Sequence, residues 1–362
     1  MPIPTALARR PFLTALAVAL AIAAPAAAQS PTAEATSRPV QARSMDEIIK
    51  ASAPTDWRTP AAEDILYLEL ESGRVVIELA PDFAPEHVAN IRTLARGHYW
   101  DGMSINRSHD NFVVQWGDPA EDDADRKPLG EAREKVPAEF VRQAAGLDFH
   151  RLPDPDGWAP QVGFVDGFPA ARHPDAGTAW LAHCYGMVGA GRGMEADSSN
   201  GTELYVVTGQ SPRQLDRNIT LVGRVLQGIE RLSALPRGTG PLGFYETEAE
   251  RTPIKAIRLA AEVPEADRTA LEVMHTDTPL FDELVEARRN RRDEFYKTPA
   301  GHIDLCNVPV PVREVAEGED AGGSSALKRV AMPSTHHFEP RHPGFRRDGG
   351  ARSGGSTEWR RD

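Results

Sequence analysis

Cysteine is almost missing: 362 residues contain only Cys184 and Cys306. A chain of this length buries a core without staples, so the pair is not a disulfide framework. In an oxidising compartment the two can bridge the core to the C-terminal part of the chain, or they can stay as two free thiols. Basic charge is in deficit, with 41 Lys and Arg against 53 Asp and Glu and a formal net charge of −12. No phosphate-neutralising face follows from that balance, which argues against a nucleic-acid partner. Metal-ligand spacing is also lacking. Glu121, Asp122, Asp123 and Asp125 do not follow a calcium-loop pattern and read as a solvated loop. His173, His183 and Cys184 lack zinc-site spacing and read as ordinary loop or core residues. Beyond the first thirty residues no apolar run is long enough to cross a bilayer. What remains is ordinary globular composition, 40% hydrophobic and 26% charged, enough for one large domain or two smaller ones.

The N-terminus reads as an export signal. Arg9 and Arg10 precede an apolar run from Phe12 to Ala24, and Ala26, Ala27 and Ala28 supply a small-residue cleavage site before Gln29. Arg9-Arg10-Pro11-Phe12-Leu13 partly fits a twin-arginine signal, and a general secretory signal fits as well. Residues 1–28 are therefore expected to be a cleaved signal peptide. The mature protein is expected to be soluble and periplasmic, with no membrane insertion. Residues 29–62, rich in Pro, Ala, Ser and Thr, read as a linker with a short helix near Met45 to Ala51.

From Ile65 the apolar residues alternate. Leu66, Leu68 and Leu70, then Val75, Ile77 and Leu79 across a Ser72-Gly73 turn, predict a β-hairpin with one buried face. Pro85, Glu86 and the stripe Val88, Ile91, Leu94, Ala95 predict a helix closed by Gly97. Strands follow at Ile105, at 112–115 after a tight bend over Ser108 to Asn111, and, past a long insert over 119–185, at 186–191, 204–208, 219–222 and 254–259. A second short helix is expected over Gln227 to Leu235. Many short strands with two helices predict a mostly β protein built on a closed barrel, which leaves no exposed edge. The barrel is expected over 63–263. Residues 264–313 form a C-terminal extension in which Thr278 caps an amphipathic helix running to about Phe295 and packing on the barrel. Residues 314–362, rich in Gly, Ser, Arg and His, read as a disordered tail.

The chemistry concentrates in Tyr99 to Asp118. Arg107 stands five residues before Phe112 and eight before Gln115, in strand-like sequence. A cation, an apolar surface and a neutral hydrogen-bonding amide suit a neutral, polarisable substrate such as a peptide bond. Nothing in the stretch reads as an activated nucleophile.

These residues, taken in order, resemble the cyclophilin family of peptidyl-prolyl cis-trans isomerases. Pro85-x-x-x-x-Asn90-Ile91, Gly97-x-Tyr99-x-Asp101-Gly102 and Arg107-x-x-x-x-Phe112-x-x-Gln115-x-Gly117-Asp118 follow the family's spacing. Pro137-x-Glu139-Phe140, Gly186-Met187-Val188 with Gly191, Asn200 to Tyr205, Leu215-Asp216 and Val222-Gly223-x-Val225-x-x-Gly228 continue it. The resemblance implies an eight-stranded barrel with two capping helices. It also implies no cofactor and no metal, and Pro-containing polypeptides as substrates. It places Arg107, Phe112 and Gln115 in the catalytic set, and Val113, Gly191, Arg192, Asn200, Glu203, Tyr205, Leu215 and Ile219 in the substrate-binding set. Several positions depart from the family: Ile105, Asn106 and the His109-Asp110-Asn111 bend, Glu203 for a glutamine, Leu204 for a phenylalanine, Gln214 for a frequent tryptophan, and Ile219 for a histidine or tyrosine. Glu203 brings charge to a neutral-substrate site, and Gln214 is expected to weaken binding of the family's cyclic-peptide inhibitors. The implied function is isomerisation of X-Pro bonds in exported proteins, assisting their folding. The alternative is a cyclophilin-fold module that binds Pro-containing segments without useful turnover.

Overall fold

The computed structural model describes residues 43–120, 123–293, 295–315 and 330–331. The signal peptide, the start of the linker and most of the tail expected from sequence lie outside the described residues.

The chain opens with helix α1 (Met45–Lys50) and strand β1 (Trp57–Arg58), then the hairpin β2 (Ile65–Leu70) and β3 (Gly73–Leu79), then helix α2 (Pro85–Arg96). Strands β4 (Ser104–Ser108) and β5 (Val113–Gly117) follow. The insert holds β6 (Arg142–Gln143), β7 (His150–Arg151), β8 (Gln161–Val165), β9 (Phe168–His173) and β10 (Thr178–Leu181). After it come β11 (Met187–Ala190), β12 (Leu204–Val207), β13 (Leu221–Gln227), helix α3 (Ile229–Ser233) and β14 (Thr252–Leu259). The extension contributes β15 (Leu271–Met274), helix α4 (Pro279–Arg289), β16 (Val312–Glu314) and the two-residue β17 (Val330–Ala331).

Eight of these strands close into an antiparallel barrel in the order β11-β12-β5-β4-β14-β2-β3-β13. Its interior is filled by the inward residues of the alternating pattern, among them Leu66, Leu68, Ile77, Ile105, Val114, Trp116, Val206 and Leu259, with Val88, Ile91 and Leu94 of α2 closing one end. Each of these side chains is essentially removed from water, the main favourable contribution to folding.

Three expectations change, and the insert proves to carry a sheet of its own. The β2–β3 hairpin is buried on both faces, because Ile65, Tyr67 and Val76 on the outside join a second apolar cluster with the insert and the extension. The insert is not simply a loop: β6 to β10 make a five-stranded sheet in the order β6-β10-β9-β8-β7. Part of the expected linker, from Ser44, is folded. Ser44 and Glu47 form a capping box for α1, Ile48 and Ile49 are buried, and β1 pairs with β15 in a separate sheet that continues through β16 to β17. The α-helix of the extension, α4, stops at Arg289 with Asn290 as its C-cap rather than near Phe295. Helix α4 lies beside α1 and sets Phe281 edge-on against Phe164 of β8 at 5.4 Å, so it packs on the insert sheet, in the apolar cluster that also holds Tyr67 and Val76 of the barrel. Thr278 is its N-cap, accepting from the Phe281 N–H.

Cys184 and Cys306 form a disulfide, joining the end of the insert to the extension.

Candidate active site

The site lies on the outer face of the barrel, across β4, β5, β12 and β11. Strand pairing aligns Arg107 with Gln115, Gln115 with Tyr205, and Tyr205 with Gly189. A bulge between Ile105 and Arg107 makes this row possible. Its extra residue, Asn106, shifts the register so that Ile105 faces the core while Arg107 stands opposite Gln115. Gly189 is needed at the end of the row, since a Cβ there would fall 2.1 Å from the Tyr205 ring.

Around the row is a cavity of about 530 Å³. Every residue that the sequence singled out lines it: Arg107, Phe112, Val113, Gln115, Gly191, Arg192, Asn200, Glu203, Tyr205, Leu215 and Ile219. Val113 and Tyr205 form its apolar floor with Phe112 and Ile219 packed against them. The His109–Phe112 bend carries Phe112, and Asn111 adopts φ 50° there with its side chain accepting from the Gln210 N–H at 2.8 Å. The turn Arg213–Leu215 delivers Leu215. Near the rim, Arg192 donates to the Asn218 carbonyl at 2.8 Å.

Arg107 is held on three sides. Its Nε donates to the Leu242 carbonyl at 2.8 Å, one Nη to Gln115 Oε1 at 3.1 Å, and the other to His109 Nδ1 at 3.0 Å. A guanidinium cannot accept, so His109 Nδ1 is the acceptor and its proton sits on Nε2. These bonds use part of the donor set and leave the rest for a substrate. The Phe112 and Phe244 rings lie 5.6 and 5.1 Å from the guanidinium carbon, and burial lowers the Arg107 pKa from its ordinary value.

Several features were missed at the level of sequence. Phe244 and Leu242 belong to an irregular segment with no apolar period, and Phe244 reaches the site through a β-bridge to Arg107. Tyr99 and Asp118, quoted only as part of the pattern, also line the cavity. Burial pushes the Tyr99 hydroxyl up to about 12, which keeps it neutral. His183 is more than core filling: it is fully buried, and its Nε2 lies 3.0 Å from the Tyr205 hydroxyl. Its Nδ1 lies 2.9 Å from Asp216, which also accepts from the His183 N–H and from Arg213 Nε at 2.6 Å. Arg213 reaches on to Asp156 of the insert. Among the described residues no group of His, Cys, Asp and Glu is arranged to hold a metal ion.

Comparison with known proteins agrees with this geometry. The family profile "Cyclophilin type peptidyl-prolyl cis-trans isomerase/CLD" matches residues 65–261. A probable peptidyl-prolyl cis-trans isomerase of Brucella suis is 25% identical over 202 residues, covering 55% of this chain and 83% of the relative. The human peptidyl-prolyl cis-trans isomerase-like 1 is 26% identical over 215 residues, covering 59% of this chain and 98% of the relative. A cyclophilin from Hirschia baltica, known from its crystal structure, superposes with a TM-score of 0.58 at 27% identity, over 71% of this chain and 92% of its own. With the profile spanning more than half of the chain and the barrel closing as that family's does, the protein belongs to the cyclophilin-type peptidyl-prolyl cis-trans isomerases.

Proposed function

We propose that this isomerase turns X-Pro bonds in exported proteins, assists their folding, and uses Arg107 as its catalytic residue. The observation that carries the reading is the placement of Arg107 beside the neutral amide of Gln115 and next to the apolar floor of Val113, Tyr205, Phe112 and Ile219, its guanidinium carbon 5.6 Å from the Phe112 ring. Rotation about a peptide bond must cross about 18–20 kcal/mol because resonance is lost on the way. For X-Pro the two end states differ by only about 0.5–1 kcal/mol, so a catalyst has only the barrier to lower. In the twisted state the proline nitrogen becomes pyramidal and basic. A fixed, always-protonated guanidinium bonds that nitrogen, or the adjacent carbonyl, more strongly than it bonds either planar form. Phe112, Val113, Tyr205, Leu215 and Ile219 grip the ring and exclude water, which strengthens the interaction. Gly191, Arg192, Asn200 and Glu203 hold the substrate backbone along the rim.

Export is supported by the Arg9-Arg10, Phe12 to Ala24 and Ala26 to Ala28 sequence. The Cys184–Cys306 disulfide also fits an oxidising compartment.

Exchange NMR on an end-capped X-Pro peptide tests the catalytic role. The wild type is expected to accelerate exchange, and Arg107→Ala to lose most of that acceleration while still binding the peptide. Equal acceleration by both proteins would remove Arg107 from the mechanism. Peptide binding without acceleration by the wild type would make the protein a binding module. Pulse-chase fractionation of cells producing the full chain tests export: the expected result is a processed form outside the cytoplasm.

A further inference from the structure

We propose that Glu203 is a positioning residue whose protonation state sets the orientation of the Gln115 amide and, through it, the placement of Arg107. The proposal rests on the isomerase reading above.

A chain of hydrogen bonds crosses the site from β4 to the residue just before β12. One Nη of Arg107 donates to Gln115 Oε1 at 3.1 Å, and Gln115 Nε2 donates to Glu203 Oε2 at 3.0 Å. The carboxylate occupies a built slot. A Cβ on Gly117 would fall 2.3 Å from the Glu203 carboxyl carbon, and one on Gly191 would fall 3.0 Å from the Glu203 Cβ. The Gly191 N–H donates to the Glu203 carbonyl at 2.8 Å, which fixes the main chain there.

An ionised carboxylate is an acceptor only. It therefore accommodates one amide orientation, nitrogen toward Glu203 and oxygen toward Arg107. A neutral carboxyl group can also donate, so its contact with Gln115 no longer opposes the flipped amide. In the flipped form the Gln115 NH2 faces the guanidinium, donor against donor, and Arg107 loses one of the three bonds that hold it. Ionisation of Glu203 thus selects the arrangement with Arg107 in place.

The groups facing Glu203 are Asp118 and Arg126 from the segment after β5 and Tyr99 from the turn after α2, while the Arg192 guanidinium is turned to the Asn218, Gly193 and Met194 carbonyls. Arg107 and His109 stand on the far side of Gln115. Burial, with Asp118 adding to it, pushes the Glu203 carboxyl up to about 7 against the Gln115 hydrogen bond and Arg126. Both protonation states are then populated near neutral pH.

The test is kcat/KM between about pH 5.5 and about pH 8.5 on an end-capped X-Pro peptide without titratable groups. It uses the wild type, Glu203→Gln and His109→Asn, with the side-chain amide resonances of Gln115 followed in parallel. In the wild type kcat/KM is expected to rise roughly three- to tenfold with a midpoint near neutrality, and the Gln115 resonances to move with the same midpoint. Glu203→Gln is expected to be flat in both readouts, and His109→Asn to keep both transitions. The proposal is overturned if Glu203→Gln keeps the rate transition, or if the Gln115 resonances do not respond to pH in the wild type. It is also overturned if the transition disappears in His109→Asn alone. Absence of isomerase activity at every pH would sink the isomerase reading, while the Gln115 resonances would still report on Glu203.

Discussion

Tyr205 brings a hydroxyl to the otherwise apolar floor of the pocket, and His183 meets it. A buried phenol needs a partner, and one left unpaired costs about 1–3 kcal/mol. His183→Ala is therefore expected to lower the unfolding free energy by at least that amount, measured by urea denaturation. In a Tyr205→Phe background the same substitution should cost less, since no hydroxyl remains to be orphaned. Equal costs in both backgrounds would mean that the two side chains are not coupled. Asp216, behind His183, is pulled both ways. Burial raises its pKa, but the bonds from His183 and Arg213 outweigh that and hold it below its ordinary value. A carboxyl depressed in the folded state stabilises above its unfolded pKa and loses that contribution as pH falls through the folded one. Asp216→Asn should accordingly show a shallower loss of stability on acidification than the wild type.

Among the elements, α4 and the insert sheet differ most from what sequence suggests. Phe281 is fully buried between α4 and β8, so Phe281→Ala is expected to cost about 3–5 kcal/mol, read as a lower midpoint in chemical denaturation. A cost near zero would place α4 outside the cooperative unit. The β2–β3 hairpin was legible because its apolar residues alternate, β11 and β12 because they are short apolar runs between turns, and the Arg107, Phe112, Gln115 spacing because it lies on one hairpin. In the insert sheet β6 and β7 have two residues each, too short for any period. Helix α1 carries its signal openly in Ser44 and Glu47, yet six residues do not make a stable helix alone. Its contact with α4, distant in sequence, is what holds it. The apolar residues past Asn290 extend the helical stripe on paper, but the backbone at Asn290 has left the helix, with φ −128°. Phe244 had no readable signal, since a β-bridge between an irregular segment and β4 leaves no trace in local pattern.

At the scale of the molecule, the barrel is wrapped. Insert, α1 and extension cover the outer face of β2 and β3. The disulfide ties that wrapping together. A thiol count on the unfolded, unreduced protein is expected to find none. Reduction is expected to lower stability by roughly 2–5 kcal/mol, as removal of a long covalent loop generally does. Two titratable thiols in protein purified from an oxidising compartment would contradict the pairing.

The bond also divides the site by connectivity. Arg192, Glu203, Tyr205, Leu215 and Ile219 lie inside the covalent ring that Cys184 and Cys306 close, whereas Arg107, Phe112 and Gln115 lie outside it. Residues 193–198, on the rim, are exposed, the setting in which proteases nick folded chains. A cut there would leave two pieces that migrate as one until reduced. The pocket could then outlive a break in its own wall, with its two halves parting only when the sulfur bond does.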